Sequence, residues 1–406
     1  WDNSAMDGYA IRSVESGTCN PVDATSGTAE AEMEGDCCAT PTVDITNLPF
    51  ADFLVSETIP AGSVGTQSVA PGTCARIMTG APMPDGADAV VIREYAEVHN
   101  TPDGKQHVRL FGTAKPGQHV RPQGEEFTRG TTVLHPGITL NAPALGLCAS
   151  TGNTHVTVKK CPIVAILSTG DEIVPTGESL LPGQIWSSNT EALCQLVRDA
   201  GGIPIDCGNA PDNLEGTRAA FVQALARQPD FLVSTGGVSV GDFDVVKQAL
   251  TDVGVEMGFW KVRMKPGKPL AFGLINGKPA FGLPGNPVSC MVNFLQFVRP
   301  VIRQSLGDPS PFLPVINATL DGRIKKKVGR NELVRVILSV GENGFTASPG
   351  PLQGSSITSS MVHAHGFALL DWDANGAEPG DVIPVQVFNT SFLFGKTADL
   401  RWGGRS

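Results

Sequence analysis

The chain has 406 residues, too many for one core, so two to four domains are expected. A formal net charge of −10 disfavours generic nucleic-acid binding, which draws on basic surface, but leaves room for a local basic pocket around a small anion. A hydrophobic fraction of 41% suits a globular protein, and no run of residues reaches the roughly 18 apolar positions of a membrane span.

The chain opens at Trp1 with neither an initiator Met nor a signal pattern, so further sequence is expected upstream. Residues 1–130 are rich in Gly and Pro and carry short β-type runs at Val90–Ile92, His107–Phe111 and Thr132–Leu134, which reads as a small β-rich lobe. Within it, 17–60 is polar, with acids at Glu30, Glu32, Glu34 and Asp36, and part of it is expected to be a loose loop. Nine cysteines show no Cys-x-x-Cys spacing, and Cys37-Cys38 are adjacent, which points to a reducing cytoplasm rather than a disulfide framework or a metal clip. The two histidines of His363-Ala-His365 read as structural.

From about 161 to 309 the pattern alternates strand and helix. Ile163–Leu167 is a strand, and Glu191–Ala200 a helix closed by Gly201, with Ser188 and Glu191 at capping-box spacing. Next come a strand at Ile203–Cys207, a helix after Asp212 running to about Arg227, a strand at Phe231–Ser234 and a helix at Val245–Val253. Strands near Phe259–Arg263, Leu270–Ile275 and Ala280–Leu283 follow, with Asn276-Gly277 as a hairpin turn. A long helix at Val288–Gln304 is expected to kink at Pro300. The fold class is therefore α/β multidomain: a central, doubly wound, mostly parallel sheet, an inserted β-rich lobe and a C-terminal all-β domain with strands at Val315–Leu320, Glu332–Val340, Phe367–Leu370 and Val382–Val387. The expected divisions are 1–130 for the lobe and the start of a stem, 131–160 for stem or linker, 161–309, 310–390, and a tail at 391–406.

Three loops follow strands of the central region. Ser168-Thr169-Gly170-Asp171-Glu172 is the first. Ser234-Thr235-Gly236-Gly237 runs on through Ser239, Gly241, Asp242 and Asp244. Pro284-Gly285-Asn286-Pro287 leads into a helix with Asn286 as N-cap and Pro287 at its first position. Glycines at the carboxyl end of a strand let the backbone approach a phosphate, and the next helix aims free N–H groups at it. Each could instead be a tight βα turn without a ligand. Acids beside such loops suit a hard divalent cation. Lys261, Arg263, Lys265 and Lys268 fall within Trp260–Pro269 of an otherwise acidic chain, which suits an oxyanion.

These motifs, in this order, carry a family resemblance. Asp2-Asn-Ser-Ala-Met-Asp-Gly-Tyr-Ala10, Arg76–Pro82, Ser168–Glu172, Ser234–Asp244, Lys265–Pro269 and Leu283–Pro287 make the chain resemble molybdopterin molybdenumtransferases of the MoeA type over about residues 1–390. The resemblance implies a homodimer whose cleft joins the lobe of one subunit to the central and C-terminal domains of the other. It also implies conversion of adenylylated molybdopterin, supplied by a molybdopterin adenylyltransferase, and molybdate to molybdenum cofactor and AMP with Mg2+ in the cytoplasm.

On that resemblance the loops of Ser168, Thr169, Gly170, Ser234, Gly236, Gly237, Ser239, Gly241, Pro284, Gly285, Asn286 and Pro287 cradle the pterin phosphate or its pyrophosphate link. Asp171, Glu172, Asp242 and Asp244, with Asp212, hold Mg2+. Lys265 and Lys268, with Lys261, Arg335 and Ser355, bind molybdate. Asp7, Thr79 and Glu126 match cleft positions from the lobe. Other roles stay open: Asp212 as a helix N-cap paired with Glu215, Asp7 as a turn residue beside Gly8, Lys261 as a solvated strand end. Departures from the pattern are Glu126 where Asp is commoner, the long 17–60 segment, the tail after 390, and no helical segment before Asp2. The competing readings are a nucleotide-derivative pyrophosphatase on the same central fold and a gephyrin-type scaffold. Molybdate and tungstate, near-identical in size and charge, suit such a basic cluster equally.

Overall fold

The computed structural model describes residues 1–17, 45, 47–102, 104–237 and 243–393, with only the backbone of Phe243 and Asp244. It divides into two compact units, Trp1–Val133 and Leu134–Ser406.

The first unit is built on a six-stranded sheet of β1 (Gly8–Ile11), β2 (Phe50–Ile59), β3 (Thr73–Ile77), β4 (Ala89–Ile92), β5 (Ala96–Asn100) and β6 (Gln106–Phe111), in the order β4-β1-β3-β2-β6-β5. Alternation along the strands sends Tyr9, Ile11, Phe53 and Val108 into one buried cluster and Ala10, Ile59, Ile77 and Val90 into another. The strand expected at Thr132–Leu134 is absent: the segment has β-branched residues but no neighbour to pair with, and β-propensity acts through such neighbours.

In the second unit a short helix, α1 (Ala142–Ser150), precedes the central α/β domain. There β7 (Ile163–Thr169), α2 (Ser188–Ala200), β8 (Ile203–Ala210), α3 (Leu214–Ala226), β9 (Phe231–Thr235), α4 (Phe243–Asp252), β10 (Glu256–Lys261), β11 (Pro269–Ile275) and β12 (Lys278–Leu283) form a sheet ordered β8-β7-β9-β12-β11-β10. The first three pairings are parallel and the last two antiparallel, as the mostly parallel expectation required. β7 opens with an unbroken apolar run, Ile163–Leu167, because both faces of the strand are covered there. Val164 and Ile166 pack with Leu193, Val197, Phe294 and Val298 on one side; Ala165 and Leu167 pack with Phe221, Val246 and Leu250 on the other.

Asn276 and Gly277 both take positive φ, 50° and 76°, in the two-residue turn between β11 and β12. The long helix is segmented: α5 (Pro287–Asn293), a π-helical turn (Phe294–Val298) and α6 (Arg299–Ser305). Pro300 lacks the N–H that would close the regular ladder, and the wider turn before it absorbs the mismatch. The capping box expected for α2 does not form. The helix starts one residue earlier than that spacing requires, with Ser187 at the N-cap and its hydroxyl bonded to the Thr190 hydroxyl at 2.9 Å.

The C-terminal domain is a closed barrel of β13 (Val315–Leu320), β14 (Asn331–Gly341), β15 (Gly344–Pro349), β16 (Gly366–Leu370) and β17 (Val382–Val387), with a one-turn helix, α7 (Ser359–His363), before β16. Neighbours run β14-β15-β13-β17-β16, and β16 closes back on β14, which leaves no free edge among these five strands. Met264, Val288, Val292, Leu295, Leu333 and Phe367 form a buried cluster joining α5 to the barrel. His365 is structural: its Nδ1 accepts the Leu338 N–H at 2.9 Å, while His363 sits exposed at the end of α7.

Candidate functional site

The chain crosses from one side of β7 to the other between β8 and β9, and ligands of open α/β sheets bind outside the strand ends at such a reversal. Here the carboxyl ends of β7, β9 and β12 open onto a cleft of about 520 Å³. Its lining includes Ser168, Thr169, Glu172, Gly236, Gly237 and the whole Pro284–Pro287 loop.

The loops are locked together closely. A Cβ on Gly236, at φ +96°, would run into the Thr169 carbonyl oxygen, and one on Gly237 into the Val246 side chain. The Thr169 hydroxyl is buried against these glycines with no partner among the described residues. Asn189, from the start of α2, ties two loops: its Nδ2 donates to Thr235 Oγ1 at 3.0 Å and to the Gly285 carbonyl at 2.8 Å, while its buried Oδ1 has no partner among the described residues. The Thr235 hydroxyl donates onward to the Pro284 carbonyl at 3.0 Å. Beside it, burial pushes the Cys290 thiol up to about 12, which removes it as a nucleophile.

Two expectations need correction. The Ser234 hydroxyl is not presented to the cleft: the residue is fully buried within β9 and its Oγ reaches the Phe281 carbonyl of β12 at 3.5 Å. Asp212 is not the cap of α3, because Asn213 occupies that position and accepts the Gly216 N–H at 2.8 Å. Asp212 instead faces Asp171 through two reciprocal bonds, each carboxylate accepting the other's backbone N–H at 3.1 and 3.2 Å. Glu172 lies against Gly170 on the cleft side. Ser168 borders the cleft, but its hydroxyl bonds back to Asn209 at 2.9 Å. Asn286 holds the N-cap position of α5 and Pro287 its first turn, with no side-chain capping bond. Ser239, Gly241 and Asp242 lie outside the described residues, as does the side chain of Asp244. Among the described residues no cluster of three or more metal-ligating side chains forms.

A second, cationic cavity of about 180 Å³ is lined by Lys265, Arg323, Lys325, Glu332, Arg335 and Gln353, among others. Arg335 is only 1% exposed. Its Nη2 donates to the Leu352 and Gly354 carbonyls at 3.2 and 3.1 Å, its Nε has no partner among the described residues, and burial lowers its pKa from the usual arginine range. Segments 265–269 and 353–356 contribute to both the cavity and the cleft. Lys261 and Lys268 are exposed and line neither, and Ser355 is half-buried, with its carbonyl accepting the Val288 N–H at 3.0 Å.

In the first unit the Asp7 carboxylate accepts both the backbone N–H and the hydroxyl of Thr79, at 2.7 and 2.8 Å. These bonds, the backbone one foremost, hold its pKa below the ordinary aspartate value. Glu126 is exposed in the loop after Pro122. The residues that sequence reasoning missed are Asn189, Glu332 and Gln353. Only Asn189 left a signal, a polar Ser187-Ser188-Asn189 run at a helix start beside the loops already singled out.

The sheet reversal, the glycine-lined cleft and the attached barrel define an α/β protein with a cleft at its strand ends and a basic cavity beside it. Three family profiles match in sequence: the MoeA N-terminal region (domains I and II) over residues 1–152, a probable molybdopterin binding domain over 165–304, and the MoeA C-terminal region (domain IV) over 317–388. Molybdopterin molybdenumtransferase 2 of Mycobacterium tuberculosis is 38% identical over 358 residues, covering 86% of this chain and 80% of the relative. The molybdopterin molybdenumtransferase of Haemophilus influenzae is 34% identical over 391 residues, covering 96% and 88%. A solved molybdopterin biosynthesis MoeA protein from Pyrococcus horikosii superposes with a TM-score of 0.74 at 29% identity, covering 95% of this chain and 87% of its own. The chain belongs to the molybdopterin molybdenumtransferase (MoeA) family.

Proposed function

We propose that this chain is a molybdenum insertase, converting adenylylated molybdopterin and molybdate to molybdenum cofactor and AMP. The observation that carries the reading is a glycine-lined cleft and a basic cavity bordered by the same two segments, on a chain whose relatives bear the molybdenumtransferase name. The cleft receives the pterin phosphate or its pyrophosphate link, where Gly236, Gly237 and Gly285 keep side chains out of the way. Lys265 and Arg335 supply positive charge to molybdate, and Lys268, Lys261 and Ser355 are assigned to the approach.

Asp171 and Asp212 are paired hard-oxygen donors of the kind Mg2+ takes, so their chemistry fits that ion. Glu172, Asp242 and Asp244 are assigned to complete the set. When bound, Mg2+ neutralises charge at the phosphoanhydride whose cleavage releases AMP. Asp7, Thr79 and Glu126 are assigned to the lobe side of the cleft of a homodimer, with a molybdopterin adenylyltransferase as donor and the cytoplasm as compartment. Among the described residues no helix is long and apolar enough to cross a membrane.

The test is turnover of adenylylated molybdopterin with Mg2+, following AMP release with and without molybdate. Molybdate-dependent release that fails in Lys265→Ala is expected. Release indifferent to molybdate overturns the reading in favour of a pyrophosphatase.

A further inference from the structure

The two-residue strand Met264–Lys265 runs parallel to the start of β14, with Lys265 opposite Glu332. This register brings Lys265 Nζ to 3.2 and 3.4 Å from the two Glu332 carboxylate oxygens. Glu332 is 5% exposed, and Arg330 Nε is a second, weaker neighbour at 3.4 Å. Among the described residues Glu332 is also the one acid in the lining of the basic cavity, beside Lys265, Arg323, Lys325 and Arg335. A dianion entering that cavity meets a buried like charge, and it finds the Lys265 ammonium already engaged. Repulsion between buried charges is poorly screened.

We infer that Glu332 is an affinity-setting counter-charge. An oxyanion competes with Glu332 for the Lys265 ammonium, so Glu332 keeps the dianion exchangeable rather than trapped. Arg330 moderates the effect by drawing on the same carboxylate. The inference rests on the proposed oxyanion role of Lys265 and names the residue that tunes it. Glu332 is a positioning residue, acting through Lys265.

The experiment is calorimetric titration of the full chain with molybdate, and with tungstate as a second probe, comparing wild type, Glu332→Gln, Arg330→Gln and Lys265→Ala. Glu332→Gln is expected to tighten binding by about tenfold or more, in the range of charge-pair couplings at close approach. Arg330→Gln, at an exposed position, leaves Glu332 more fully on Lys265 and is expected to weaken binding about two- to fivefold. Unchanged affinity in Lys265→Ala overturns the underlying oxyanion assignment. Weakened affinity in Lys265→Ala without tightening in Glu332→Gln overturns the role of Glu332 alone. Where Glu332→Gln fails to fold, Arg330→Gln decides, and affinity equal to or tighter than wild type overturns the inference.

Discussion

Gly236→Ala separates two costs that the cleft imposes on its backbone. The residue sits at φ +96°, where an L side chain costs about 1–2 kcal/mol. The added methyl also meets the Thr169 carbonyl oxygen, a main-chain atom that cannot swing aside without parting the ends of β7 and β9. Overpacking of that kind costs about 1–3 kcal/mol, giving a total of about 2–5 kcal/mol. Two controls isolate the terms. Gly254 has a similar φ, +92°, but open space around the Cβ position, so Gly254→Ala carries the conformational cost alone. Gly285 lacks a positive φ, and its added Cβ would lie 3.5 Å from Gly236 Cα, an ordinary contact, so Gly285→Ala is near neutral for stability. Urea titration of the three variants with a common unfolding slope gives the differences directly. A Gly236→Ala no less stable than Gly254→Ala would refute the close approach of the two strand ends.

Asn189→Ala removes both donors joining Thr235 to Gly285, and a loss of about 1–3 kcal/mol is expected in the same titration, with weaker AMP binding by fluorescence or calorimetry. Lys326 is 6% exposed and donates to the Lys327, Trp372 and Ala374 carbonyls, so Lys326→Met should destabilise the barrel by about 2–4 kcal/mol, seen in unfolding followed by tryptophan emission. The Asp7 carboxylate is bonded by Thr79, and its folded pKa lies below the ordinary 3.8. A depressed acid contributes stability that is fully present above the unfolded pKa and lost as pH falls through the folded one. The stability advantage of wild type over Asp7→Ala should therefore hold above pH 3.8 and fade below it in acid titrations of thermal unfolding. An advantage unchanged down to the most acid folded sample would show that the charged form is not the one Thr79 binds.

What could be read in the sequence was local. Ile163–Leu167 read as a strand because a short apolar run ends there in a Ser-Thr-Gly loop, and the structure covers both of its faces. Asn276-Gly277 had to be a two-residue hairpin turn, because few other pairs accept positive φ twice. The loops of the cleft followed from glycines placed between strand and helix patterns. The remainder depends on partners distant in the chain. Asn189 acquires its role from residues 46 and 96 positions away, and Glu332 from Lys265, 67 positions earlier. Neither residue type in isolation differs from a solvated polar side chain. Ser234 misled because a serine before Gly-Gly reads as a cradle hydroxyl, whereas strand alternation turns it inward to β12.

The placement of Lys265 shows why the barrel belongs to the site rather than beside it. The lysine is held by a two-residue strand grafted onto β14, so its position is set by the barrel's backbone as much as by the α/β sheet. Beneath it, Val288 and Val292 of α5 pack against Leu333 and Phe367 of the barrel. Two residues beyond Leu333 on the same strand lies Arg335, and in the ladder Arg335 pairs with Phe367. The apolar seam and the basic cavity therefore share one strand, whose alternate side chains are Leu333 and Arg335 together with Glu332 and Val334. A one-residue slip of β14 against its neighbours would exchange which side chains face the seam and which face the opposite side. The closed barrel resists that slip by pairing β14 on both sides, while the parallel register of Met264–Lys265 on β14 sets Lys265 opposite Glu332, three residues before Arg335. The basic cavity thus draws its charges from the 265 segment and from the barrel together.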